Sequence, residues 1–289
     1  MAFIEVLFLI IFWTWVLSAG FFLRNTVLPR APVTINPAQF GLAVETVHFQ
    51  ATDGLQLEGW KIPGDPAQPW IICCHGLGSN RSDMLHLATS LHRAGFNLFL
   101  FDFRGHGGSA GLTTSFGWQE QRDLEGVLAF LGQQSEVPST PYGLYGLSMG
   151  AAAALLVGAR DERIGAIVAD SPFTNLEESF GQHLSLMYPM LPRIPFIWFI
   201  NTAYKLRYGI WPVQVAPQES LMMLQSRQVS LIYGAQDTRM PPGGVERMLS
   251  RIPNRNNCLV VGEAGHLQAY AVHPDAYLDR LIQFFLKNL

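Results

Sequence analysis

Tyr142-Gly143-Leu144-Tyr145-Gly146-Leu147-Ser148-Met149-Gly150-Ala151-Ala152-Ala153-Ala154-Leu155-Leu156 decides the fold. Its first six residues read as a buried strand and its last six as a strong helix former, with Gly146-Leu147-Ser148-Met149-Gly150 joining them. A turn that tight holds its serine in strained dihedrals, and glycines two residues to either side keep strand and helix from clashing. Ser148 would then project its hydroxyl above a sheet at a helix N-terminus, where amide donors and the helix dipole favour a developing anion. Strand, G-x-S-x-G and helix in that order form the context such an elbow needs. Taken alone, the pentapeptide could equally be a packing turn of small residues.

Outward from the elbow, short apolar runs alternate with helical patterns. Val44 to Gln50 and Leu55 to Ile62 flank Thr52-Asp53-Gly54, whose Asp-Gly pair signals a hairpin, so the sheet is expected to open antiparallel. Further strands are expected at Trp70 to Cys74, Phe96 to Phe101, Tyr142 to Leu147, Ile164 to Ala169, Val229 to Tyr233 and Cys258 to Val261. Asp83 to Arg93 and Trp118 to Leu131 read as helices between them. Buried strands alternating with helices imply crossovers, and hence an α/β architecture with a mostly parallel central sheet and helices on both faces. Residues 171 to 217 break the alternation. Their prolines, among them Pro189, Pro192 and Pro195, forbid one continuous helix, so a lid of short helices is expected there.

The N-terminus is a compositional break. Val6 to Leu23 is an 18-residue run without a charge, bounded by Glu5 and Arg24. At 1.5 Å per residue it spans roughly 27 Å, close to the thickness of a bilayer's hydrocarbon core. A cleaved signal peptide competes through Ser18-Ala19-Gly20, but no basic residue precedes Arg24, as a signal peptide's n-region requires; a buried or interfacial helix is the third reading. The expected domains are a transmembrane anchor at 1–27, a linker at 28–43 and a catalytic domain at 44–289. Arg24 and Arg30 follow the span, which by the positive-inside tendency places the bulk of the chain on the cytoplasmic side.

The 289 residues, 49% of them hydrophobic and 14% charged, suffice for one large core. A net charge of -3 with scattered Lys and Arg offers no footprint for nucleic acid. Three cysteines suggest no disulfide framework; Cys73 and Cys74, adjacent on a strand, would point to opposite faces.

A serine hydroxyl needs a base with a pKa near 7, itself held by a third group. His266 lies in Gly262-Glu263-Ala264-Gly265-His266-Leu267, after the last strand and before the final helix, where catalytic loops gather in open α/β sheets. The other seven histidines fit that role less well: His86 and His92 fall in a helical stretch, His48 in the hairpin, His183 in the lid and His273 beside Pro274. None shows metal-ligand spacing, so no metal is expected. Asp237 ends Leu231-Ile232-Tyr233-Gly234-Ala235-Gln236-Asp237, and Ser, Asp, His is the order expected of this architecture. Asp170, which ends the preceding strand, competes for the role of acid, and Asp102 and Asp275 stay in the field; an aspartate after a strand is also a common helix cap. Cys74-His75-Gly76-Leu77-Gly78-Ser79 follows another apolar strand, and the amide of Leu77 could join that of Met149 in an oxyanion hole, leaving His75 a structural role.

Taken together, the sequence from Val44 to Leu289 resembles the α/β-hydrolase superfamily, in its serine aminopeptidase-like, BEM46-like branch. The resemblance is carried by the Asp-Gly hairpin, His75-Gly76, Asp102-Phe103-Arg104-Gly105-His106-Gly107-Gly108-Ser109, Gly146 to Gly150, Asp170-Ser171-Pro172-Phe173, Gly234 to Asp237 and Gly265-His266. It implies Ser148, Asp237 and His266 as a triad, Leu77 and Met149 as oxyanion donors, and a mainly structural Arg104 to Ser109 turn. The acyl transfer implied by the resemblance needs no cofactor. The expected function is hydrolysis of an ester or thioester of an apolar or lipid-like acyl group, with the membrane as partner through the N-terminal helix. A peptidase or amidase activity, and a membrane-tethered scaffold that keeps the fold without catalysis, are the competing readings.

Overall fold

The computed structural model describes residues 2–27, 30–135, 137, 141–252 and 254–289. Leu28 and Pro29, with which the expected linker begins, lie outside the described residues. The chain opens with the 25-residue helix α1, Ala2–Thr26. Then β1, Glu45–Gln50, and β2, Gln56–Ile62, form the antiparallel hairpin expected around Asp53-Gly54. Next come β3, Trp70–Cys74; α2, Leu85–Arg93; β4, Asn97–Phe101; and α3, Glu120–Gly132. They are followed by β5, Tyr142–Leu147; α4, Met149–Gly158; and β6, Ile164–Asp170. The lid supplies α5, Leu176–Met187, and α6, Arg193–Tyr208, with α7, Pro217–Met223, leading back to the sheet. The chain closes with β7, Gln228–Gly234; α8, Gly244–Ser250; β8, Leu259–Val261; α9, Ala269–Val272; and α10, Pro274–Asn288.

The eight strands lie in one sheet, in the order β1-β2-β4-β3-β5-β6-β7-β8. Pairing is antiparallel from β1 to β2 and from β2 to β4, and parallel from β4 through to β8. Every residue of β3 and β4 is buried, so these strands have no solvent face and carry no polar alternation. Side-chain alternation instead divides the core in two. Ile72, Cys74, Phe99 and Leu144 pack under α3, α4, α7 and α8, whereas Ile71, Cys73, Leu98 and Tyr145 pack under α2, α9 and α10. Cys73 and Cys74 thus face opposite layers as free thiols. Each fully buried Leu, Ile or Phe contributes on the order of 1.5–3 kcal/mol.

A third cluster holds no strand residue. It joins Phe21 and Phe22 of α1 to Phe180 and Leu184 of α5 and to Phe196, Ile200 and Tyr204 of α6. The break between α5 and α6 falls at Tyr188 to Pro192, where Pro189 and Pro192 cannot continue a helix.

Candidate active site

Ser148 stands between β5 and α4 with φ 50° and ψ −109°. The sheet and helix impose that conformation because they leave no room for a gentler turn. A Cβ on Gly150 would lie 2.2 Å from the carbonyl oxygen of Cys74, and one on Gly146 would lie 2.6 Å from the Ala151 backbone. The Ser148 amide donates to the Asp170 carbonyl at 2.8 Å, which ties the elbow to the end of β6. Among the described residues, the non-glycine residues with positive φ are Phe116, Ser148, Ser171 and Leu267. All four line one cavity of about 220 Å³ above the sheet. Strain concentrated around a single cavity is where function is to be sought.

His266, in the loop between β8 and α9, sits between the other two predicted groups. Its Nε2 is 2.9 Å from the Ser148 Oγ and its Nδ1 is 2.7 Å from Oδ2 of Asp237. An ionised carboxylate only accepts, so Nδ1 carries the ring proton and Nε2 is left to accept from the serine hydroxyl. Asp237 is held in turn: its Oδ1 accepts the Arg239 amide at 2.9 Å, and its side chain is fully buried. The Gly234 turn brings the two loops together, since a Cβ there would lie 2.2 Å from the Ala264 carbonyl oxygen. The arrangement can move a proton from Ser148 to His266 without moving a heavy atom far.

The competing aspartates are occupied elsewhere. Asp170 accepts from Tyr277 at 2.7 Å and from Ser171 at 2.8 Å, and burial pushes its carboxyl up to about 6. Asp102 is bound by the Arg81 amide and guanidinium and by the Gly108 amide. Asp275 lies exposed in the first turn of α10, an ordinary place for an acidic side chain.

His75 is fully buried. Its Nε2 accepts the Phe103 amide at 3.0 Å, so Nδ1 donates to the Gly76 carbonyl at 2.7 Å. Burial lowers its pKa to about 3, which keeps the ring neutral and free to serve as a brace for the Gly76-Leu77 loop. His106 braces the same loop, its Nε2 accepting the Gly78 amide at 3.1 Å. Arg104 pairs with Asp123 and Asp53 beneath the turn. Leu77 and Met149 both line the cavity with Ser148. As the first residue of α4, Met149 has an amide without an intrahelical acceptor.

Several lining residues had no sequence signal of their own. Ser171 supports the histidine loop, its Oγ lying 3.4 Å from the Leu267 amide; the Asp170-Ser171-Pro172-Phe173 run marked its place after β6 but not this role. Phe21 and Asn25 reach the cavity from α1. The available clue was a polar stripe, Thr14, Ser18 and Asn25, on one side of an otherwise apolar helix.

An eight-stranded, mostly parallel sheet with a serine elbow after β5, an acid after β7 and a histidine after β8 defines a hydrolase of the α/β type. The chain belongs to the α/β-hydrolase superfamily: residues 65–208 match the family described as "Serine aminopeptidase, S33". Among solved structures, the esterase Pf2001 of Pyrococcus furiosus superposes with a TM-score of 0.74 at 25% identity, covering 92% of this chain and 98% of the esterase. The uncharacterized protein YqkD of Bacillus subtilis is 28% identical over 238 residues, 82% of this chain and 77% of that protein. The alpha/beta hydrolase domain-containing protein WAV2 of Arabidopsis thaliana is 22% identical over 263 residues, 88% of this chain and 82% of WAV2.

Proposed function

We propose that this chain is a serine esterase or thioesterase acting on apolar acyl groups, anchored in a membrane by α1 with its hydrolase domain on the cytoplasmic side. The observation that carries the reading is His266, suspended between Ser148 at 2.9 Å and Asp237 at 2.7 Å. Ser148 attacks the acyl carbonyl as Nε2 of His266 takes its proton, and Asp237 stabilises the imidazolium through Nδ1. The oxyanion rests on the amides of Leu77 and Met149, aided by the N-terminus of α4. His266 returns the proton to the departing alkoxide or thiolate, and a water activated by the same imidazole then releases the acid from Ser148.

The cavity favours an apolar acyl group because Phe116, Met149, Phe173, Phe180 and Leu267 line most of it, while Asn25, Ser179, His183 and Arg239 add a polar side. The esterase Pf2001 supports ester cleavage over amide cleavage. The test is labelling with a fluorophosphonate, alongside turnover of p-nitrophenyl esters of graded chain length. Labelling and turnover that both vanish in Ser148→Ala support the reading; a folded, unlabelled and inactive parent protein refutes it.

A further inference from the structure

Helix α1 contributes more than an attachment. Thr14, Ser18, Phe21, Phe22 and Thr26 are buried along one face of it. Ser18 Oγ lies 3.4 Å from the Phe196 carbonyl, and Phe22 meets the rings of Tyr204 and Tyr208, so α1 and α6 run side by side in the same direction. The small Thr14 and Ser18 permit that approach, as small residues do between helices in lipid. At its C-terminal end α1 is tied down by the Thr114 amide, which donates to the Thr26 carbonyl at 3.0 Å.

This packing encloses a second cavity, of about 460 Å³, between α1 and the lid. Leu17, Phe21, Leu184, Met187, Met190 and Phe196 line it, and it is almost wholly apolar. Phe21 lines both this cavity and the one above Ser148. The outer rim is apolar too: Met190 is 93% exposed, Ile194 81% and Trp198 59%, and Leu9, Trp13 and Leu17 are exposed on α1. With 25 residues, α1 is about 37 Å long, more than the roughly 30 Å of a hydrocarbon core. The half of α1 packed against the lid falls within its candidate membrane span, Leu9–Thr26. A bilayer that receives the exposed N-terminal half of α1, up to Trp13, meets the lid tip at Met190 to Ile194 and the mouth of the second cavity.

We propose that α1 and the lid form a lateral portal. One acyl chain of a bilayer lipid passes from the leaflet into the cavity between α1 and α5, past Phe21, and presents its ester carbonyl to Ser148. The chain then exchanges one apolar environment for another, without crossing water. This rests on the reading of Ser148 as the nucleophile, and makes α1 a wall of the substrate site.

The experiment uses the full-length chain in phosphatidylcholine vesicles, with p-nitrophenyl palmitate and p-nitrophenyl butyrate as probes. Leu184→Trp and Met187→Trp each fill the second cavity from a different position, so one variant's failure to fold leaves the other. Fluorophosphonate labelling of Ser148 reports that the variant is folded. Expected is a palmitate-to-butyrate ratio of kcat/KM that falls at least tenfold in either variant and holds in Leu112→Gln, a substitution in an exposed loop outside both cavities. A ratio unchanged within twofold in a labelled variant, or equal loss on both esters, overturns the portal. An unmodified protein that neither labels nor turns over butyrate overturns the serine-hydrolase reading instead, so the two failures are distinct.

Discussion

Tyr277 of α10 donates its hydroxyl hydrogen bond to Asp170 at 2.7 Å and so engages the carboxylate that competed with Asp237 for His266. With the Tyr145 hydroxyl hydrogen-bonded to that of Tyr277 at 2.8 Å and Ser171 on the other oxygen, Asp170 has both carboxyl oxygens engaged at the end of β6. Asp237, one strand over, is left to face the imidazole. Asp237→Asn is expected to lower kcat by about 10³-fold or more, since an amide favours the wrong histidine tautomer. Asp170→Asn is expected to cost less than about tenfold, because its effect reaches the site only through Ser171 and the Leu267 loop. Steady-state kinetics on a short ester checks both, and comparable losses would reassign the acid.

Stability should carry the signature of Asp170. Burial raises its carboxyl from 3.8 to about 6, so the folded chain holds that proton more tightly than the unfolded one. The contribution is fully present below pH 3.8 and is lost as pH rises through 6, a swing on the order of 3 kcal/mol. Asp170→Asn removes the swing. Its unfolding free energy relative to the parent should therefore increase between pH 4 and pH 7, as read from urea midpoints at each pH; a flat difference would contradict the assignment.

The elbow is the next place to look. Ser148 holds φ 50°, a region that glycine enters freely and other residues only under strain. Ser148→Gly and Ser148→Ala should both be inactive, but the glycine variant should be the more stable by about 1 kcal/mol, the strain relieved being partly offset by greater unfolded-state entropy. Thermal denaturation of the pair measures it.

Gly234 governs the histidine loop from below. A methyl group at this position would lie 2.2 Å from the Ala264 carbonyl and 2.3 Å from that of Gly265. Gly234→Ala should displace His266 and lower kcat by about 100-fold, as sub-ångström to ångström misplacements of catalytic groups do. Kinetics together with near-ultraviolet circular dichroism distinguishes this local shift from global unfolding.

The strand runs and the elbow were legible because their signals are local. β3 and β5 fall at the bounds read from the sequence, Trp70–Cys74 and Tyr142–Leu147, since a fully buried strand is a short apolar run whatever surrounds it. Helix α2 begins at Leu85 rather than Asp83, because Asn80 and Asp83 cap a preceding 3₁₀ turn, Arg81–Met84. Phe116 carried no signal, and Ser171 and Leu267 were marked only as parts of their motifs, not as cavity-lining residues. Their backbone strain is imposed by neighbours distant in sequence, and no residue type announces it.

The sequence by itself determined the alternation that makes the sheet, the strained serine between its glycines, and a histidine and an aspartate in the right order after it. Each is written in spacing and residue type within a few positions. It preferred Asp237 as the acid but kept Asp170 in competition, because both follow apolar strands; the structure puts Asp237 on His266 and engages Asp170 with Tyr277, 107 residues away. It likewise put an anchor ahead of a buried helix for α1, since three polar residues, Thr14, Ser18 and Asn25, in so apolar a run are a thin signal of which face is covered. Tertiary packing alone set Phe21 and Asn25 beside Ser148, because contacts between distant segments are chosen by the shapes that meet and not by the sequence of either.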